Sequence, residues 1–119
     1  MKPVRLLIAI GLAAACVAAQ AHAMLDHAQP RVGSTVHGSP AEVRLWFNEP
    51  LEPAFSTVRV VDAQGRSVDA GRAQVDAHDP LLLRVPLAKL APGEYTAAWR
   101  AVSVDTHVTE GRFTFRVAP

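Results

Sequence analysis

"EVRLWF", residues 42–47, alternates polar and apolar side chains with a period of two. In an extended chain successive side chains point to opposite faces. Val43, Leu45 and Phe47 therefore share one face, and Glu42, Arg44 and Trp46 share the other. A 3.6-residue helix would spread both sets around its circumference, so this stretch reads as a strand buried on one side.

The same period recurs along the chain. Thr57 to Val61 repeats it, and Leu81 to Val85 is a denser apolar run that suits a strand covered on both faces. Tyr95 to Val102 and Arg112 to Val117 follow, the last with Phe113, Phe115 and Val117 on one side. A short strand near Met24–Ala28 and a weak one near Arg66–Asp69 bring the expected total to about seven. Between these runs stand turn formers such as Gly38-Ser39-Pro40, Asn48-Glu49-Pro50, Asp62-Ala63-Gln64-Gly65 and Ala91-Pro92-Gly93. No stretch keeps a helical stripe, and the expectation is a single all-β sandwich. Tyr95, just past a turn and at the head of a strand, has the setting of a tyrosine corner, in which the hydroxyl bonds back to the main chain.

The first 21 residues have a different character. Lys2 and Arg5 precede an uninterrupted apolar run from Leu6 to Ala19, and Ala19-Gln20-Ala21 has the small-x-small form of a signal-peptidase site. Fourteen helical residues span about 21 Å, short of the roughly 30 Å hydrocarbon core, which favours a cleaved secretory signal over a membrane anchor. The expected division is a signal peptide at 1–21 and a domain at 22–119. Ala21-His22-Ala23 satisfies the same rule, so cleavage before Met24 stays open. Ala13-Ala14-Ala15-Cys16 weakly resembles a lipoprotein attachment site, a second reading of the same segment.

Cleavage after Ala21 changes the chemistry of what remains. Loss of Lys2 and Arg5 takes twelve basic residues to ten against eleven acidic ones, a formal charge near −1. A basic surface for nucleic acid or anionic lipid is not expected. Cys16, the single cysteine, leaves with the signal, so the domain has neither a disulfide nor a thiolate nucleophile. No Gly-rich phosphate loop, GxSxG elbow or HExxH helix is present.

Histidine is the remaining chemistry. His27, His37 and His78 read as ordinary polar surface residues. His22 differs, because cleavage after Ala21 makes it the first residue, with a free α-amine and a ring nitrogen able to chelate one ion. An α-amine titrates near 7.7–8.0, so its deprotonation is accessible near neutral pH. Asp105 and His107, one residue apart between two strands, add an oxygen and a third nitrogen and point to the same side of an extended chain. Such an N,O set suits Cu(II). Residues 22–119 lack the cysteine of a blue-copper or zinc site and hold one methionine, Met24, where a Cu(I) site wants several.

"QPRVGSTV" at 29–36, "EVRLWFNEPLEPAFSTVRVVD" at 42–62 and "LAPGEYTAAWRAVSVDTHVTEGRFTFRV" at 90–117 make the chain similar to the CopC family of periplasmic copper-resistance proteins over nearly the whole length after the signal. The most specific match is the pattern W-R-x-x-S-x-D-x-H-x-x-x-G at Trp99, Arg100, Ser103, Asp105, His107 and Gly111. The resemblance implies a Greek-key sandwich of cupredoxin/immunoglobulin type and a Cu(II) site at His22, Asp105 and His107. It offers Glu49 as an outer or axial ligand. It implies a periplasmic protein that takes one Cu(II) per processed chain, without catalysis, for resistance, buffering or delivery to a membrane transporter of the CopD type. Some members carry a Met-rich Cu(I) segment, but the matching region here, "VVDAQGRSVDAGRAQVD", has neither methionine nor histidine. Two other readings remain open. A terminal histidine with a second histidine resembles the brace of copper monooxygenases, and a metal-free sandwich could serve in adhesion or assembly.

Overall fold

The alternation at 42–47 is realised as a strand whose burial alternates with it: Val43, Leu45 and Phe47 are buried, and Glu42, Arg44 and Trp46 are half-buried. The computed structural model describes residues 23–119; the expected export segment, with Cys16, and His22 lie outside the described residues. Eight strands follow in order: β1 (Leu25–Gln29), β2 (Thr35–His37), β3 (Glu42–Phe47), β4 (Thr57–Asp62), β5 (Gln74–Asp76), β6 (Asp79–Pro86), β7 (Gly93–Val102) and β8 (Val108–Ala118). No helix is present among the described residues, and so none there is long and apolar enough to cross a membrane.

The strands form two four-stranded sheets, ordered β1-β3-β6-β5 and β2-β8-β7-β4. The chain changes sheet at each step from β1 to β5 and again from β6 to β7, while β5–β6 and β7–β8 pair within one sheet, which is the connectivity of a sandwich. Val43, Leu45 and Phe47 of β3, with Leu83 and Val85 of β6, meet Val58 and Val60 of β4 and Phe113, Phe115 and Val117 of β8 across the interior. Burying each such side chain contributes about 1.5–3 kcal/mol, which lets a domain without a disulfide hold together.

The expected sandwich of about seven strands is present with eight among the described residues. The stretch 66–69 contributes isolated bridges, Val61 to Ser67 and Asp69 to Leu87, rather than a strand. Two strands of three residues each, β2 and β5, occupy sheet edges instead. Tyr95 behaves as expected: its hydroxyl donates to the Ala91 carbonyl at 2.6 Å, and its ring stacks on Phe115.

The longest pairing joins β7 to β8, in register from Gly93–Val117 to Val102–Val108. Inside this hairpin Trp99 lies directly over Gly111, where a Cβ would meet the indole Cζ2 at 2.5 Å. Glycine is therefore required at 111 by close approach, not by backbone angle. The Trp99 ring also meets the edge of Phe47 at 5.2 Å. The hairpin's closed end, residues 103–107, carries the candidate site.

Candidate metal centre

Where β7 ends, Ser103 is 1 % exposed and pairs with Leu51 through an isolated bridge. Its main chain closes the loop. The Ser103 N–H donates to the His107 carbonyl at 2.9 Å, and the Thr106 N–H donates to the Ser103 carbonyl at 2.8 Å. Thr106 has φ +72°, a left-handed conformation that is unusual for a β-branched residue and that lets the chain reverse within so few residues. The Thr106 hydroxyl donates to the Asp105 carbonyl at 2.5 Å.

The reversal brings the two sequence-predicted ligands together. Asp105 Oδ1 lies 3.6 Å from His107 Nδ1, and both side chains are half exposed, at 49 % and 50 %. The Ser103 hydroxyl donates to Asp105 Oδ1. It also accepts the His107 N–H at 3.3 Å. A carboxylate oxygen and an imidazole thus stand side by side at the surface, on a loop braced from beneath.

The beginning of the described chain is fastened beside this loop. Ala23 is fully buried, and its carbonyl accepts the Thr109 hydroxyl at 2.6 Å. Thr109 is two residues beyond His107 on the same hairpin. Met24 and Asn48 exchange two further bonds, Met24 N–H to Asn48 Oδ1 at 2.7 Å and Asn48 N–H to the Met24 carbonyl at 3.0 Å.

Glu49 is half-buried in the segment that follows β3. That segment runs past the loop: the Val104 N–H donates to the Pro50 carbonyl at 3.2 Å, and the Glu52 N–H donates to the Val102 carbonyl at 2.7 Å. Among the described residues no three His, Cys, Asp or Glu side chains form a group that could hold a metal, so Glu49 does not complete a trio with Asp105 and His107. The third donor assigned from the sequence, His22, is outside the described residues.

The other histidines belong to different elements. His27 of β1 stacks on Trp46 of β3, centroids 4.4 Å apart, with Nδ1 at 2.7 Å from Asp26 Oδ2. His37 lies in β2, and His78 sits in the turn before β6 with its N–H on Asp76 Oδ2 at 3.0 Å. Sequence reasoning missed the residues that build the frame: the hydroxyls of Ser103 and Thr109 and the amide of Asn48. Ser103 stands in the S-x-D-x-H pattern, but a serine in a pattern does not reveal what its hydroxyl touches.

Comparison with known proteins gives one consistent result. Residues 25–118 match the CopC domain. The chain is 38 % identical over 98 residues to Protein YobA of Escherichia coli K12, covering 82 % of this chain and 79 % of that one. It is 37 % identical over 105 residues to Copper resistance protein C of Pseudomonas syringae pv. tomato, covering 83 % and 82 % respectively. The crystal structure of CopC from Methylosinus trichosporium OB3b superposes with a TM-score of 0.77 at 35 % identity, covering 82 % of this chain and 95 % of that one.

Proposed function

The chain belongs to the CopC family, and from that premise we propose that its exported domain is a periplasmic Cu(II)-binding protein taking one ion per processed chain. The proposed ligands are the α-amine and ring of His22, a carboxylate oxygen of Asp105 and the imidazole of His107, with Glu49 assigned at most an outer role. The observation that carries the reading is a juxtaposition. Asp105 and His107 share one hairpin loop, and Thr109 of the same hairpin holds the carbonyl of Ala23, the residue joined to His22.

The donor set selects the metal. Nitrogen and oxygen donors with no thiolate favour a tetragonal Cu(II) ion, which stands high in the affinity order of divalent first-row metals. A histidine at the chain start loses little extra freedom on supplying two nitrogens, so the chelate gains affinity at small entropic cost. All these donors serve in their deprotonated forms, and acidification weakens the site by competition. The resulting role is to hold copper for resistance or buffering and to pass it to a membrane transporter of the CopD type, rather than to catalyse a reaction.

The test begins with the exported protein. N-terminal mass spectrometry is expected to find His22 as the first residue. Titration with Cu(II) against a competing chelator is expected to show one tight equivalent, weakened more than about 100-fold in His107→Ala, since outer-sphere partners alone change affinity by about 10–100-fold. A start at Met24, or a tight site that survives in His107→Ala, would overturn the proposal.

A further inference from the structure

We infer that Ser103 is a positioning residue for the copper site, acting through Asp105 and His107; the inference rests on the copper reading above. Ser103 is one of two buried polar residues among those described. The other, Ser56, does main-chain work: its hydroxyl accepts the Val102 N–H at 3.1 Å and ties two backbone segments together. Ser103 uses its hydroxyl differently. It donates to the side chain of Asp105 and accepts the main-chain N–H of His107, so a residue with 1 % exposure is bonded to both ligand residues of the loop.

The loop does not need that hydroxyl to close. The Ser103 N–H to His107 carbonyl bond and the Thr106 N–H to Ser103 carbonyl bond already define the turn. Asp105 is 49 % exposed, so water can satisfy its carboxylate without help from a serine. What the buried hydroxyl adds is direction. A carboxylate on a surface loop rotates about its side-chain bonds, and a fixed donor beneath it removes part of that freedom before the ion arrives. The same bond draws charge from Oδ1, which alters the donor strength the ion meets. Partners of this kind orient metal ligands, and their loss costs about 10–100-fold in affinity.

The experiment uses the domain beginning at His22 and Cu(II) itself as the probe, with affinity read by chelator competition and geometry by electron paramagnetic resonance. Ser103→Ala is expected to weaken Cu(II) by about 10–100-fold and to shift the copper hyperfine splitting. Its thermal unfolding, followed without metal, shows that the variant is folded. In an Asp105→Ala background most of the Ser103→Ala loss is expected to vanish, because contacting residues are coupled. A purely structural serine predicts the opposite: lowered stability, an unchanged spectrum, and a loss of equal size in both backgrounds. Unchanged affinity and spectrum in Ser103→Ala overturns this inference alone. A wild-type domain that takes up no Cu(II) overturns the copper reading, and this inference with it.

Discussion

Asp105 and His107 are brought to one side by a left-handed threonine and a buried serine, and Ala23 is held on the same hairpin by Thr109. Thr109→Val keeps the β-branched shape in β8 and deletes the hydroxyl that binds Ala23. Stability is expected to fall by about 1 kcal/mol, the usual net worth of one hydrogen bond, as measured by urea unfolding without metal. On the proposed copper reading Cu(II) affinity should fall as well, because Ala23, next in sequence to the proposed donor His22, loses a bond to the hairpin. Equal affinity in Thr109→Val and wild type would show that Ala23 is held well enough by its burial and by Asn48. The asymmetry of what could be read beforehand is physical. Ligand residue types carry their chemistry in their names, so Asp105 and His107 can be proposed as ligands from the sequence. Hydroxyl and amide side chains bond almost anything, and only the folded register places Ser103, Thr109 and Asn48 in the frame.

At the scale of elements, the outer face of the first sheet carries a charge network that the fold makes available. Arg84 of β6 holds Glu42 of β3 through two bonds of 2.9 Å and Asp76 of β5 through one of 2.5 Å, and Arg44 reaches Glu42 at 2.7 Å. Desolvation pushes the Glu42 carboxyl upward, but the bonds from Arg44 and Arg84 outweigh it and hold it below its ordinary value. The Asp76 carboxyl is lowered first by the His78 N–H and then by Arg84. Groups with depressed folded values add stability above their ordinary values, about 4.3 for glutamate and 3.9 for aspartate, and lose it as pH falls through the folded ones. Arg84→Met keeps the apolar stem and removes the charge. Thermal melts from pH 7 to pH 2 should show the variant less stable at pH 7, with the gap to wild type narrowing on acidification. A gap that stays constant with pH would mean that Arg84 acts by packing alone. The strands joined by this network also show where alternation informs and where it fails. β3, β4, β7 and β8 are long enough to display a period and β6 shows as a dense apolar run, so the sequence reveals them. β2 and β5 have three residues each and lie at sheet edges, β2 in parallel with β8, so no pattern within them could announce a strand. Residues 66–69 carry strand-like residues but make only bridges, because their backbone divides its bonds between β4 and the segment after β6: the Val68 N–H donates to the Val60 carbonyl and the Ala88 N–H to the Val68 carbonyl, each at 2.9 Å.

For the molecule as a whole, the proposed site is assembled from the two ends of the domain, and one end exists chemically only after proteolysis. While Ala21 remains attached, the nitrogen of His22 is an amide that offers no amine lone pair to a metal. Cleavage converts it to an amine, and because the core cluster draws on residues from Ala23 to Val117, the proposal expects the same fold before and after. The proposal therefore separates folding from binding, and a chemical block on the terminus tests that separation. Residues 22–119 contain a single lysine, Lys89, so in a Lys89→Arg domain that starts at His22 the α-amine is the sole primary amine. Acetylating it removes one nitrogen donor and leaves the His22 ring, Asp105 and His107 in place. The acetylated domain is expected to unfold at the same temperature as the untreated one without metal. Its Cu(II) affinity should fall by more than about 100-fold, since loss of a direct donor exceeds the 10–100-fold effect of outer partners. Copper should raise the unfolding temperature of the untreated domain and have little effect on the acetylated one, because a ligand stabilises only the state that binds it. If acetylation left affinity and the copper-dependent shift unchanged, the amine would not be a ligand, and Cu(II) would be held by side chains alone. The domain would then need no processing to bind, and export and copper capture would be independent events.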